Sequence, residues 1–89
     1  MERIEKEVLI KNKQGLHARP AALFVQTAAK FDSSVKVKKD KQVVDGKSIM
    51  SILSLGAECG NKVVIIVEGE DALQAISELE KILSKDEEN

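Results

Sequence analysis

The sequence predicts an α+β domain with three helices on one face of a four-stranded, largely antiparallel sheet, in the order β-α-β-β-α-β-α. Three observations carry that expectation. Two stretches, 18–31 and 71–83, repeat apolar residues at helical spacing. Four shorter stretches alternate or are dense in β-branched residues, as strands do. Between two of these strands, "KDKQ" has the composition of a tight reversal and makes a hairpin. An amphipathic helix and a one-sided sheet each need a partner for the apolar side, and stacking them in two layers meets both needs.

In "RIEKEVLIK", Ile4, Val8 and Ile10 share one parity and Glu5, Glu7 and Lys11 the other, which fits a half-buried first strand with Lys6 as the exception. After the turn "NKQG" a helix is expected from Ala18 to Phe31, with Ala21, Phe24, Val25, Ala28 and Phe31 as its core stripe. Pro20 suits the first turn, where its missing N–H has no intrahelical partner to lose. His17 and Ala18 then stand at the helix entrance. Leu23 and Thr27 fall off the stripe, on the same side as Ala22.

"SSVKVKK" alternates as a second strand, and "QVVDG" gives a short third one ending at Asp45-Gly46. "KSIMSILSLG" has a cap in Ser48 and a stop in Gly56, so a helix of about two turns is expected. "KVVIIVE" is a strand rich in β-branched residues. "DALQAISELEKIL" closes the order with Ala72, Ala75, Ile76, Leu79 and Leu83 on one helical face. There is no repeat, low-complexity segment or linker, so residues 1–89 read as one domain, with a frayed tail from about 84 to 89.

Composition removes several function classes. The longest apolar run, "VVIIV" at 63–67, is far too short to cross a bilayer. "MERIEKEVLI" mixes acids into its charged part and reads as neither a secretory signal nor a transit peptide, so a cytoplasmic location is expected. The single cysteine, Cys59, cannot form an internal disulfide and has no second Cys or His at ligand spacing. It falls in the turn after the second helix and has no assigned role; redox chemistry and metal binding are not expected, nor is any cofactor. A net charge of −1, with no Trp or Tyr and only Phe24 and Phe31, argues against nucleic-acid binding. Residues 1–48 carry eleven Lys/Arg against six Asp/Glu, while residues 49–89 carry three against nine. Such asymmetry can guide an acidic protein toward the half containing His17, although folding can equally mix the halves.

The stretch "NKQGLHARPAALF" holds the only histidine and the only proline in the chain. A lone histidine is commonly a surface residue or a helix cap, and those readings stand unless its surroundings argue otherwise. Here they do. An imidazole at a helix N-terminus faces backbone N–H groups, that of Ala18 among them, and the positive end of the helix dipole. Both disfavour imidazolium and favour an anion. Neutral imidazole is the nucleophilic form, and Arg19 offers a guanidinium to phosphoryl oxygens. Gly15 permits a tight approach of the preceding loop. No Ser/His/Asp set, P-loop or acid–base carboxylate pair accompanies the histidine, so the chain can accept and pass on a group more readily than it can activate a donor by itself.

"GLHARPAALFVQTAAKF" together with "DGKSIMSILSLG" closely resembles the HPr family, the histidine-containing phosphocarrier proteins of the bacterial phosphoenolpyruvate-dependent sugar phosphotransferase system. The resemblance covers nearly the whole chain and implies an open-faced β-sandwich. It implies that His17 takes a phosphoryl group on Nδ1 from phosphorylated enzyme I and hands it to sugar-specific enzyme II components, with Arg19 and the Ala18 end of the helix holding the phosphoryl group. It implies that Ser48 is the position phosphorylated, in many members, by an ATP-dependent HPr kinase/phosphorylase. It also implies that Ile49, Met50 and Leu53 form an exposed patch that docks partners. Gln14 stands where family members vary.

The residues themselves agree with these assignments. An apolar patch beside a reactive site suits a transient interface, and methionine adapts to several partners. Ala22, Leu23, Thr27 and Lys47 extend the expected docking face. The competing reading places Ile49 and Met50 in the core and makes Ser48 a cap only; Ile52 is expected in the core either way. Phosphate on Ser48 would add about −1.5 to −2 charges beside the patch and repel an acidic partner. Two other functions compete with the carrier. One is regulatory: a binding module signalling through Ser48 to a transcriptional regulator with His17 vestigial, against which the intact "HARP" speaks, or a nitrogen-linked phosphorelay, which the sequence does not separate from the sugar branch. The other is a free-standing phosphohydrolase, which lacks a second catalytic group. A carrier that docks face-on with several partners is expected to be a monomer.

Overall fold

The computed structural model describes residues 2–85. Its elements are β1 (Glu2–Leu9), α1 (Ala18–Ala28), β2 (Ser34–Lys39), β3 (Gln42–Asp45), α2 (Ile49–Ser54), β4 (Lys62–Gly69) and α3 (Ala72–Ser84). This is the expected order, and the four strands form one antiparallel sheet in the spatial order β1-β4-β2-β3. Of the expected frayed tail, Ser84 closes α3 and residues 86–89 lie outside the described residues.

β4 runs through the middle of the sheet. It pairs with β1 from Glu2↔Gly69 to Leu9↔Lys62 and with β2 from Ser34↔Glu68 to Lys38↔Val64. Its helix-facing side chains Val63, Ile65 and Val67 are almost wholly buried, and Val64 and Ile66 on the other face are half-buried. A central strand is covered on both sides to some degree, which is why "VVIIV" reads as a continuous apolar run rather than an alternation. β2 and β3 form the expected hairpin, with Lys39 paired to Gln42 and Asp40 in the left-handed region at φ 55°.

Beneath the sheet, α3 packs on β1 and β4, α1 packs on α3 and α2, and α2 reaches β3. The predicted stripe of α3 is buried at every position: Ala72, Ala75, Ile76, Leu79 and Leu83. Phe24 of α1 is fully enclosed, a burial that contributes about 1.5–3 kcal/mol. Lys6, the break in the first strand's pattern, shares the helix-facing parity of Val8 but stays exposed, and it pairs with Glu80 of α3 at 3.2 Å.

Two expectations for α1 are corrected. The helix ends at Ala28 rather than Phe31, and Phe31 enters the core from the turn that follows. Thr27, expected on the exposed side with Leu23, is buried at 6% exposure. Because α1 is packed by α3 on one side and α2 on another, its buried face is wider than a single stripe.

A polar clasp, not anticipated from the sequence, fastens the α1–β2 connection to the start of α3. The Asp71 carboxylate accepts the backbone N–H of Asp32 at 2.9 Å, that of Ser33 at 3.0 Å, and the Ser33 hydroxyl. The Ser33 hydroxyl, then the Asp32 amide, hold the Asp71 carboxyl below its ordinary value of 3.8, with partial desolvation opposing.

Candidate functional site

The loop that carries His17 is tied at several points to the 57–61 segment. Leaving β1, Ile10 donates to the carbonyl of Asn61 at 2.9 Å and accepts from Gly60 at 2.8 Å. The chain then turns through Asn12, whose side chain accepts from Gln14 N–H at 3.0 Å and whose carbonyl accepts from Gly15 at 2.9 Å. Gly15 adopts φ +75°, and a Cβ there would fall 2.6 Å from the Ala57 carbonyl oxygen and 2.9 Å from Glu58 Cα. The close approach expected of Gly15 is therefore made to the loop after α2, a distant part of the chain to which local spacing does not point. Leu16 plugs into the core and donates to Ala57 at 2.9 Å.

His17 occupies the N-cap position of α1 with extended backbone, φ −92° and ψ −169°; its carbonyl accepts the first ladder bond, from Ala21 at 3.0 Å. Its imidazole makes no capping bond and is half-buried. The reading of this imidazole as a side-chain helix cap is therefore not met. The ladder starts at Ala21 and Pro20 has no N–H, so the Ala18 N–H stands outside the ladder at the helix entrance.

Arg19 is exposed in the first turn and lines a groove of about 260 Å³ between α1 and the end of α3, together with Leu23, Lys81 and Lys85.

α2 begins at Ser48, whose hydroxyl accepts from Ser51 N–H at 3.3 Å as a helix cap, while the residue stays half-buried and reachable. Ile49 and Leu53 are each 36% exposed and Met50 74%, whereas Ile52 is buried. The core reading of Ile49 and Met50 is thereby excluded. On α1, Leu23 is 50% exposed and Ala22 half-buried. Lys47 fastens two elements, since its ammonium donates to the Phe31 carbonyl at 2.8 Å and so joins the start of α2 to the chain leaving α1. Cys59 is exposed in the turn after α2, its thiol 3.8 Å from the Lys11 carbonyl. Among the described residues no cluster of His, Cys, Asp and Glu is arranged to hold a metal ion, and no helix is long and apolar enough to cross a membrane.

The supporting segment Ala57–Asn61 is what sequence reasoning missed. The signal was present in "GAECGNK", whose two glycines flank a loop that no motif explained.

Comparison with known proteins agrees with this arrangement. The family model described as the PTS HPr component phosphorylation site matches residues 4–85. The chain is 42% identical over 79 residues to the phosphocarrier protein HPr of Treponema pallidum, covering 89% of this chain and 90% of that one. It is 43% identical over 83 residues to the HPr-like protein Crh of Halalkalibacterium halodurans, covering 93% and 99%. The crystal structure of a phosphocarrier protein HPr from Bacillus anthracis superposes with a TM-score of 0.87 at 42% identity, covering 91% and 96%. With a lone imidazole uncommitted at a helix entrance, an exposed apolar patch on the neighbouring helix, and this likeness along its length, the chain belongs to the HPr family of phosphocarrier proteins.

Proposed function

We propose that His17 is the residue that carries the phosphoryl group as this phosphocarrier shuttles it between enzyme I and the enzyme II components of the phosphotransferase system. The observation that supports this most is the uncommitted imidazole at the N-cap of α1. In the first step the lone pair of Nδ1 attacks phosphorus, the N–P bond forms, and the bond to the donor on enzyme I breaks with its electron pair returning to that donor. In the second step an enzyme II nucleophile attacks the same phosphorus and the N–P electrons return to the imidazole. The N–H of Ala18 and the guanidinium of Arg19 bear the phosphoryl charge in between. Because one ring nitrogen both receives and releases the group, the protein is a carrier and not an independent catalyst.

Exposed Met50, Ile49 and Leu53 of α2, with half-buried Ala22 of α1, form the docking face of this reading, while exposed Leu23 lines the groove between α1 and α3. Ser48 is its regulatory position: phosphate there sits among these residues and penalises docking of an acidic surface. A kinase acting on Ser48 and a transcriptional regulator reading it are the further partners, and the sugar branch, the cytoplasmic location and a single carrier domain over residues 1–89 belong to the same proposal.

The test mixes the purified protein with enzyme I, magnesium and phosphoenolpyruvate and follows intact mass beside a His17→Ala variant. A gain of one acid-labile phosphate, absent in the variant, is expected. No gain with an active enzyme I would overturn the assignment of His17.

A further inference from the structure

In the loop after α2, Glu58, Cys59 and Gly60 are exposed, and Gly60 adopts φ +93°. Apolar packing therefore does not set the shape of this loop between buried Ala57 and the start of β4 at Lys62. Asn61 sets it through polar groups. Its carboxamide oxygen accepts the Glu58 N–H at 2.8 Å, and its own N–H donates to the Glu58 carbonyl at 2.9 Å. Together the two bonds close residues 58–61 into one turn, with a single side chain as its fastener. The Asn61 carbonyl accepts from Ile10 at 2.9 Å, where the chain leaves β1 for the histidine loop.

Glu58, the residue so held, stands against the histidine loop. The place a Cβ would take at Gly15 lies 2.9 Å from Glu58 Cα, so Glu58 cannot move toward Gly15 without closing on it. Leu16 N–H donates to the neighbouring Ala57 carbonyl at 2.9 Å, and the Gly15 carbonyl accepts His17 N–H at 3.0 Å. A continuous line of contacts thus runs from the Asn61 side chain through Glu58 and Gly15 to the backbone of His17.

We propose that Asn61 is a positioning residue for His17, acting through Glu58 and Gly15 and not by touching the phosphoryl group. This role rests on the reading of His17 as the carrier residue. The bond to Glu58 uses only an acceptor oxygen, so a carboxylate of the same length can replace the carboxamide and a methyl cannot. Met50 and Ile49 open α2, whereas the loop follows the other end of that helix, so Asn61 bears on the transfer step and leaves docking unchanged.

Single-turnover transfer from pre-phosphorylated enzyme I, over a range of concentrations of this protein, separates the maximal rate from the half-saturating concentration. Wild type, Asn61→Ala and Asn61→Asp are compared, with circular dichroism confirming that each is folded. Asn61→Ala should lower the maximal rate about three- to tenfold at an unchanged half-saturating concentration, a fraction of the roughly hundredfold that a misplacement of about 1 Å can cost. Asn61→Asp should restore that rate to within about twofold. The Leu16 amide, bonded to Ala57 in the wild type, should exchange with solvent about threefold faster or more in Asn61→Ala and near the wild-type rate in Asn61→Asp. An unchanged maximal rate in Asn61→Ala, a weaker half-saturation in place of a slower rate, or an equal loss in Asn61→Asp would each overturn the proposal. Wild-type protein that takes no phosphate from an active enzyme I would overturn the carrier reading, whereas Leu16 exchange equal in all three proteins would overturn the hold of Asn61 on the loop by itself.

Discussion

Replacing Gly15 by alanine separates two costs that the structure keeps distinct. At φ +75° an L-residue loses about 1–2 kcal/mol relative to its preferred conformations. The new methyl would also lie 2.6 Å from the Ala57 oxygen and 2.9 Å from Glu58 Cα, and both obstacles are backbone, so the two loops must part. Overpacking of that kind costs about 1–3 kcal/mol, giving a total of about 2–5 kcal/mol. For a domain of this size each kcal/mol moves Tm by about 4–8 °C, so a fall of at least about 8 °C is expected by thermal circular dichroism. Gly56, which follows the C-cap of α2 at φ +61° with open space where its Cβ would be, supplies the control. Gly56→Ala bears only the conformational cost of about 1–2 kcal/mol. Because the Gly15 carbonyl accepts from His17 N–H at 3.0 Å, Gly15→Ala should also slow phosphorylation by enzyme I about tenfold or more, and Gly56→Ala should not. Equal losses of Tm in the two variants would refute the claim that the 57–61 segment supports the histidine loop.

Other substitutions probe the docking face and the polar fastenings. Met50→Glu, at a side chain 74% exposed, should leave stability within about 0.5 kcal/mol while raising the KM for enzyme I about fivefold or more, as loss of an interface anchor does; an unchanged KM would remove Met50 from the docking face. Ser48→Ala removes the hydroxyl that accepts from Ser51 and should cost about 1 kcal/mol, or roughly 4–8 °C in Tm. The Asp71 carboxyl is held below its ordinary 3.8, so the unfolded chain takes up this proton first. Its contribution to stability is complete above that unfolded value and is lost as pH falls through the lower folded one. Asp71→Asn should therefore be less stable at neutral pH and lose this part of the acid dependence; chemical denaturation from about pH 2 to 7 measures both, and parallel curves for the two proteins would contradict the clasp.

Where periodicity alone decides a feature, the sequence is readable. The α3 stripe is buried at each expected position because one helix face meets one sheet, and Ser48 and Gly56 bound α2 by local capping chemistry. His17 was legible as a helix-entrance residue from Pro20 and the stripe that follows. What stayed hidden depends on packing between distant segments. Thr27 is buried because two helices, α2 and α3, pack on α1, and helical spacing on α1 carries no trace of a second neighbour. The Lys47–Phe31 bond and the Asp71–Ser33 clasp join residues 16 and 38 positions apart through polar groups that look like ordinary surface residues. Lys6 reads as an exception until Glu80 is seen across from it.

The position of β4 between β1 and β2 bears on how the protein is made. β1 has no other hydrogen-bonded neighbour in the sheet, and the β2–β3 hairpin alone is at best marginal in water. While a ribosome is still adding residues before Lys62, the N-terminal strand has nothing to pair with, and before Ala57 emerges the amide of Leu16 lacks its partner. Order in the histidine loop therefore waits on almost the last third of the chain. A chain ending before Ala57 is therefore expected to leave the histidine loop without these bonds and to take up no phosphate from enzyme I, which a truncated product tests directly.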